Sequence, residues 1–323
     1  MTRTIADGPI IERVFDGMNR FVYAGPLHRH GDRRLYAAQL KTDWGKRNQR
    51  LFALTENQEL LASAQQYDLA GVLDGAQVRI CGIGSVMNYQ PQRDYRRRLV
   101  DTLLEYAARG SAQMGLVFWH KDAAKEADHG VNAIRFTQTT IAVAQSPRHG
   151  APMTTVRSGG PRDLAAIVAM GRVRAERFRF HFDRDVDFVQ YAITTQRLLA
   201  GVGAPNARQL QFFVAEEGIT AAAYIVVSVV GDIWTLEECG DRDPSGARVG
   251  ALLQALIARE PAARRPTINA QFPRGFLPPQ VTVVTEGLSS DIVEVHMLGR
   301  RLIRRLVVDD VLLWHDDLLN GSS

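Results

Sequence analysis

Cysteine occurs only at Cys81 and Cys239 in a chain of 323 residues, and lysine only at Lys41, Lys46, Lys121 and Lys125. Two thiols make neither a disulfide framework nor a tetrahedral metal site alone, so they read as buried, reduced cysteines of a cytoplasmic protein. No run of about 18 apolar residues occurs, so no membrane-spanning helix is expected. Residues 1–20 mix Asp7, Glu12 and Asp16 with arginines and lack the apolar core of a signal peptide, so export is not expected either. A nucleophile elbow with its Ser–His–Asp set, a Walker loop and a dinucleotide fingerprint are also missing.

What the chain has in their place is arginine. It supplies nearly all of the 39 basic residues, set against 35 acidic ones, for a net charge of +4 and a pI near 9.2. Its planar, permanently charged fork suits phosphates and carboxylates, so the bias points to an anionic ligand or a nucleic-acid backbone. The plainer explanation is a GC-rich genome, which exchanges lysine for arginine throughout. With 46% hydrophobic and 23% charged residues the chain is globular, and its length suits two domains of about 150 residues.

After an irregular start, residues 49–55 and 59–67 read as strands separated by the polar break Glu56-Asn57-Gln58. A third strand covers 78–87, with Gly82 and Gly84 inside it, where glycine marks a bulge or a close backbone approach. Leu99, Val100, Leu103, Leu104 and Ala107 share one face of a helix over 96–108 that Gly110 stops. A short strand at 115–119, a short helix at 122–129 and a strand at 135–144 complete this half. Residues 146–161 are dense in Pro, Gly and Ser and read as a linker between domains at 1–145 and 162–323. The second half has helices at 164–177, up to 199 and at 249–259, and strands at 211–215, 221–230 and 232–238. Its tail, 292–319, alternates apolar and charged residues; it finishes this sheet or packs on the first domain. The fold class is α/β of the α+β kind, each half a mixed, largely antiparallel sheet flanked by helices.

One unit recurs: strand, turn and amphipathic helix at 78–108 and again at 223–258. The first amides of a helix lack intrahelical partners and sit at the positive end of its dipole, so such a turn is an anion site. This order of elements resembles the GNAT acyltransferase superfamily, and the chain looks like a tandem GNAT. The resemblance implies that acetyl-CoA or another acyl-CoA binds by its pyrophosphate at a turn patterned Arg/Gln, two residues, Gly, one residue, Gly/Ala. At the first turn, after Val86 and Met87, Arg93 matches the leading position, while Arg96 and Arg98 stand where glycines belong and Arg97 lies between them. Arginine obstructs the backbone approach a cradled phosphate needs. At the second turn Gly246 and Gly250 remain, but Arg248 replaces the central glycine. Turn chemistry favours the second half as the phosphate site, and completeness of the surrounding strands favours the first.

The resemblance further implies a tyrosine about four residues before Gly130 as general acid. That position holds Glu126, with His129 nearby. Candidate proton carriers are therefore His129, His120 at a strand end, and Glu237 and Glu238, whose carboxylates would take a proton from an attacking amine. Each also reads as a surface or strand-end residue. Tyr89 is a further candidate phenol. Arg177 to Phe182 interleaves bases with aromatics, which fits either base stacking or a strand with a Phe core face. His28, His30 and Asp32 lack a second ligand cluster, so no metal is expected. Arg300, Arg301, Arg304 and Arg305 read as a solvated face.

Three functions follow. The first is an acyltransferase that forms an amide on a small-molecule or peptide amine from an acyl-CoA. The second takes its acyl group from aminoacyl-tRNA, where arginines meet nucleic-acid phosphates and binding weakens steeply with salt. The third is a non-catalytic binding protein on a decayed GNAT fold.

Overall fold

The computed structural model describes residues 2–21, 31–119, 132–144, 155–202, 208–261, 265–299 and 305–314. Its local architecture follows from four tight hairpins. Strands β2 (Gln49–Glu56), β3 (Glu59–Leu73) and β4 (Ala76–Asn88) are joined by Asn57-Gln58 and Asp74-Gly75, and all four turn residues have positive φ. Two-residue turns of this kind twist in the same sense as the strands they connect. In the second half, β9 (Gln209–Glu217), β10 (Thr220–Val230) and β11 (Ile233–Asp241) turn at Gly218 and Gly231, which take φ of 65° and 62°.

Each hairpin set runs on into a helix and a parallel strand. In the first half these are α4 (Arg96–Arg109) and β5 (Met114–Trp119). In the second they are α7 (Ala247–Ile257) and β12 (Thr267–Ala270). β6 (Asn132–Val143) pairs antiparallel with β12, and β13 (Val281–Met297) lies between β5 and β6. One sheet therefore crosses the molecule in the order β1-β2-β3-β4-β5-β13-β6-β12-β11-β10-β9-β7, where β1 is Thr2–Ile5 and β7 is Thr155–Ser158. β8 (Phe180–Phe182) pairs with β3 and with β14 (Val311–Leu312) off this path.

Apolar side chains on both faces of this sheet are covered. α4 closes one face of the first half over Leu54, Cys81, Ile83 and Val117. The opposite face packs Trp44, Tyr67, Phe180 and Phe188. In the second half α5 (Leu164–Ala175) and α6 (Val186–Val202) cover one face and α7 the other. A buried polar chain joins the halves, from Gln39 through Gln49 to the Tyr191 hydroxyl.

Several sequence expectations change here. The start is helical, with α1 (Gly8–Phe21), α2 (Gly31–Gln39) and α3 (Asp43–Asn48). β3 runs six residues past its expected end, because Gly71 lets β8 pack against it where a Cβ would meet Ile80 and the His181 carbonyl. Of the expected tail, 292–297 end the long strand β13, which is inserted between β5 and β6 of the first half, and 311–312 form β14 against β8. Phe180 and Phe182 are buried and Arg179 pairs with Asp74 and Asp310, so the aromatic–basic run is a core strand. The expected helix at 122–129 lies outside the described residues.

Cys81 and Cys239 are free and buried, and desolvation pushes both thiols up to about 12. Neither is expected to react with iodoacetamide at pH 8 in the folded protein, and both in denaturant, read by mass spectrometry.

Candidate functional site

The two copies share one local geometry. β4 and β5 pair in parallel only from Ile80↔Met114 to Ile83↔Val117, then part. At the point of parting β4 bulges: Ser63 faces Met87 and Gln65 faces Gly84, so Ser85 and Val86 together oppose Ala64. Ser85 takes a φ of 50°, a left-handed conformation that re-aims the amides beyond it. β11 and β12 pair from Ile233↔Thr267 to Leu236↔Ala270 and part likewise, and Glu237 is the extra residue against Val226 and Val227.

On the β4 side the first opening is bordered by small residues, Gly84 and Ser85, and on the β5 side by the buried Phe118 and Trp119. Of the expected donor contacts, Val86 is buried with Leu99 and Tyr95 under α4, and Met87 packs toward the N-terminal helices. The turn that follows is pinned by Asn88, which donates to the Arg93 carbonyl (3.1 Å) and accepts from the Tyr95 amide (3.0 Å). Arg93 lies over the Tyr95 ring, 5.1 Å from its centroid. The Asp94 carboxylate takes the Arg96 amide (2.8 Å) and the Arg96 guanidinium. Burial alone would raise this carboxyl, but the hydrogen bonds and charge of Arg96 outweigh it and hold it below its usual value. Arg97 turns inward to Glu294 of β13 (3.0 Å), which also meets His296 (2.9 Å), while Arg98 is exposed. Tyr89 is buried on Ser63 (2.7 Å).

At the second opening the residues that follow Leu236 are the buried carboxylates Glu237 and Glu238. Glu238 is clasped by the Tyr224 hydroxyl and by Arg184 (2.7 Å), over a cavity of about 40 Å³. Desolvation first, then the neighbouring Glu238 charge, holds the Tyr224 phenol well above its usual range. Glu237 is buried with Arg208 4.0 Å away. The Asp241 carboxylate occupies the N-terminus of α7, taking the amides of Arg248 and Asp243 (2.9 Å each) and the Arg248 guanidinium (3.1 Å). Arg248 also pairs with Glu217. Gly246 has a φ of 70°, where a Cβ would meet Phe276, and a Cβ on Gly250 would collide with Gln280. Both glycines thus have packing reasons to be there.

The structure brings Arg93, Arg96, Arg97 and Arg98 to the start of α4 and Gly246, Arg248 and Gly250 to that of α7, while Glu237 and Glu238 stand at the end of β11 with other partners, Arg208 for the first and Tyr224 and Arg184 for the second. His120, His129, Glu126, His28, His30, Arg300, Arg301 and Arg304 lie outside the described residues. Sequence reasoning missed Glu294 and His296, whose alternation with Val293 and Val295 reads as a solvated strand face; α4 buries that face. Asp94 and Asp241 also went unnoticed, although an acidic residue beside a helix start is a visible signal. Among the described residues no cluster of three or more His, Cys, Asp or Glu could hold a metal ion, and no helix is long and apolar enough to cross a membrane.

No protein-family model and no curated protein matches this sequence. Solved structures do match its fold. A GCN5-related N-acetyltransferase from Anabaena variabilis superposes with a TM-score of 0.65 at 11% identity, covering 92% of this chain and 73% of that one. The Eis protein of Mycobacterium abscessus gives 0.56 at 12% identity, over 93% and 74%. Saccharomyces cerevisiae N-myristoyltransferase with bound myristoyl-CoA gives 0.54 at 11% identity, over 95% and 80%.

Proposed function

We propose, taking as premise that the chain has the tandem GNAT fold, that it is an N-acyltransferase whose reactive cleft is the β4–β5 opening of the first half. The donor is an acyl-CoA and the acceptor a small-molecule or peptide amine. The domain division at 1–145 and 162–323 belongs to the same proposal. The observation that carries it is the contrast between the openings: a bulge with small residues, Gly84 and Ser85, on the β4 side of one, and buried carboxylates with their partners in the other. That contrast supports the first half over the second.

Beyond Ile83, β4 has lost its parallel neighbour, so alternate N–H groups of the following stretch face the opening. Such fixed donors polarise an acyl carbonyl and stabilise the oxyanion formed when an amine attacks it. The C–S bond breaks as the amide C–N bond forms, the proton shed by the amine neutralises the departing thiolate, and holding donor and amine in one cleft supplies the proximity. With no glycine at the first turn, donor phosphates meet the side chains of Arg93, Arg96 and Arg98 rather than a backbone cradle. Acyl-CoA binding of this kind is salt-sensitive.

The test is titration of the full chain with acetyl-CoA, myristoyl-CoA and total tRNA at low and moderate salt. Saturable acyl-CoA binding is expected. Tight, salt-sensitive tRNA binding without acyl-CoA binding would transfer the donor role to aminoacyl-tRNA, and binding of neither would leave the non-catalytic reading.

A further inference from the structure

Phe212 and Phe213 are consecutive on β9 and so point to opposite faces of the sheet. Phe212 packs with α5 and α6, and Phe213 against the cluster under α7. Each ring carries an arginine. The guanidinium of Arg197, from α6, lies 5.9 Å from the Phe212 centroid, and that of Arg259, just past α7, lies 5.0 Å from the Phe213 centroid. Among the described residues neither guanidinium has a carboxylate partner. Between them runs a groove of about 330 Å³, within the range of ligand sites.

The floor of that groove is a strand edge with which, among the described residues, no strand pairs beyond β7. β7 pairs with β9 only as far as Ser158↔Phe213, and the Gly159 amide then donates to the Phe212 carbonyl (2.8 Å). In an antiparallel ladder a residue's N–H and C=O share one side and that side alternates along the strand. The N–H and C=O of Leu210 therefore face the same edge as those of Phe212, past the point where β7 has ended.

We propose that this edge docks an extended peptide segment bearing two adjacent acidic side chains. A strand added here would pair its backbone with Leu210. Successive side chains of an extended peptide point to opposite faces, so adjacent carboxylates meet Arg197 on the α6 face and Arg259 on the α7 face. This spacing is what the two arginines select: acidic residues two apart would both fall on one face. Glu260 lines the groove as well, so recognition rests on placement of the carboxylates and not on bulk negative charge. The site is separate from the β4–β5 opening and does not depend on the acyltransferase reading.

The experiment is fluorescence anisotropy on the full chain with a labelled, end-blocked Val-Asp-Glu-Val peptide. Its controls are the Val-Asn-Gln-Val analogue, an Asp-Val-Glu spacing variant and a peptide N-methylated at the pairing residue. Saturable binding of the first is expected, with each control and each of Arg197→Gln and Arg259→Gln weaker by roughly tenfold, since each removes a charge-assisted or backbone hydrogen bond. Both arginines are exposed, and circular dichroism will show that the variants fold. Equal binding of the N-methylated or spacing variant, or unchanged affinity in the arginine variants, would overturn the proposal. So would failure of the acidic peptide to bind, or its full displacement by low concentrations of inorganic phosphate.

Discussion

Ser85→Glu is expected to abolish acyl-CoA binding and acyl transfer, by about 100-fold or more, while the protein stays folded. Counted from the last parallel-paired residue of each copy, Ile83 and Leu236, Ser85 stands at the register of Glu238. The substitution therefore places in the first copy a carboxylate at the position that Glu238 holds in the second. A negative charge placed beside the oxyanion donors opposes both the donor phosphates and the charge that develops on the carbonyl oxygen. Ser85→Gly is the control: it relieves the left-handed strain, stabilising by about 0.5–1 kcal/mol, and leaves binding intact. Calorimetric titration with acetyl-CoA reads both. Glu238→Gln should leave that titration unchanged; if Glu238→Gln abolished binding and Ser85→Glu did not, the cleft would belong to the second half.

Glu294→Ala should destabilise the fold by about 3 kcal/mol. Glu294 sits in the middle of the sheet with its side chain fully buried, and the carboxylate meets Arg97 at 3.0 Å and His296 at 2.9 Å. Removing one member of a buried ion pair leaves the other charge desolvated, at a cost of about 3–5 kcal/mol when both are buried. Arg97 is 29% exposed, which places the expectation at the low end. Because Glu294 lies on β13 and Arg97 on α4, the loss also frees the start of α4 from β13. Urea unfolding measures the effect. A change below about 1 kcal/mol would mean that water replaces the lost carboxylate.

Acid is expected to loosen β7. Arg157 joins Asp163 (2.7 Å) to Glu216 (3.0 Å) and so fastens β7 to β9. Hydrogen bonding from Arg157 is the largest cause holding the Asp163 carboxyl below its usual value. A depressed carboxylate contributes stability above its unfolded pKa, near 3.9, and loses it as pH falls through the folded value. Hydrogen exchange at the β7 amides should rise below about pH 4, and Arg157→Ala should remove that pH dependence.

Much of the fold could be read from the chain. The polar break at Glu56-Asn57-Gln58 marks the first hairpin, apolar spacing marks α4 and α7, and the repeat of strand, turn and helix identifies the tandem architecture; the β3–β4 turn at Asp74-Gly75 was missed because β3 was expected to end at Tyr67. These signals are local, set by φ preferences and by periodicity within a few residues. The insertion of β13 between β5 and β6 was not readable, because a strand's sequence records which faces are buried and not which neighbour it pairs with across more than a hundred residues. The turns show the same division. The replacement of glycine by Arg96, Arg98 and Arg248 is plain in the sequence, as is the doubt it casts on a backbone phosphate cradle. That Asp94 and Asp241 occupy the helix starts and that Glu238 is held by Tyr224 and Arg184 were decided by tertiary structure. Whether a carboxylate faces water or fills a cleft depends on which distant side chains are brought against it.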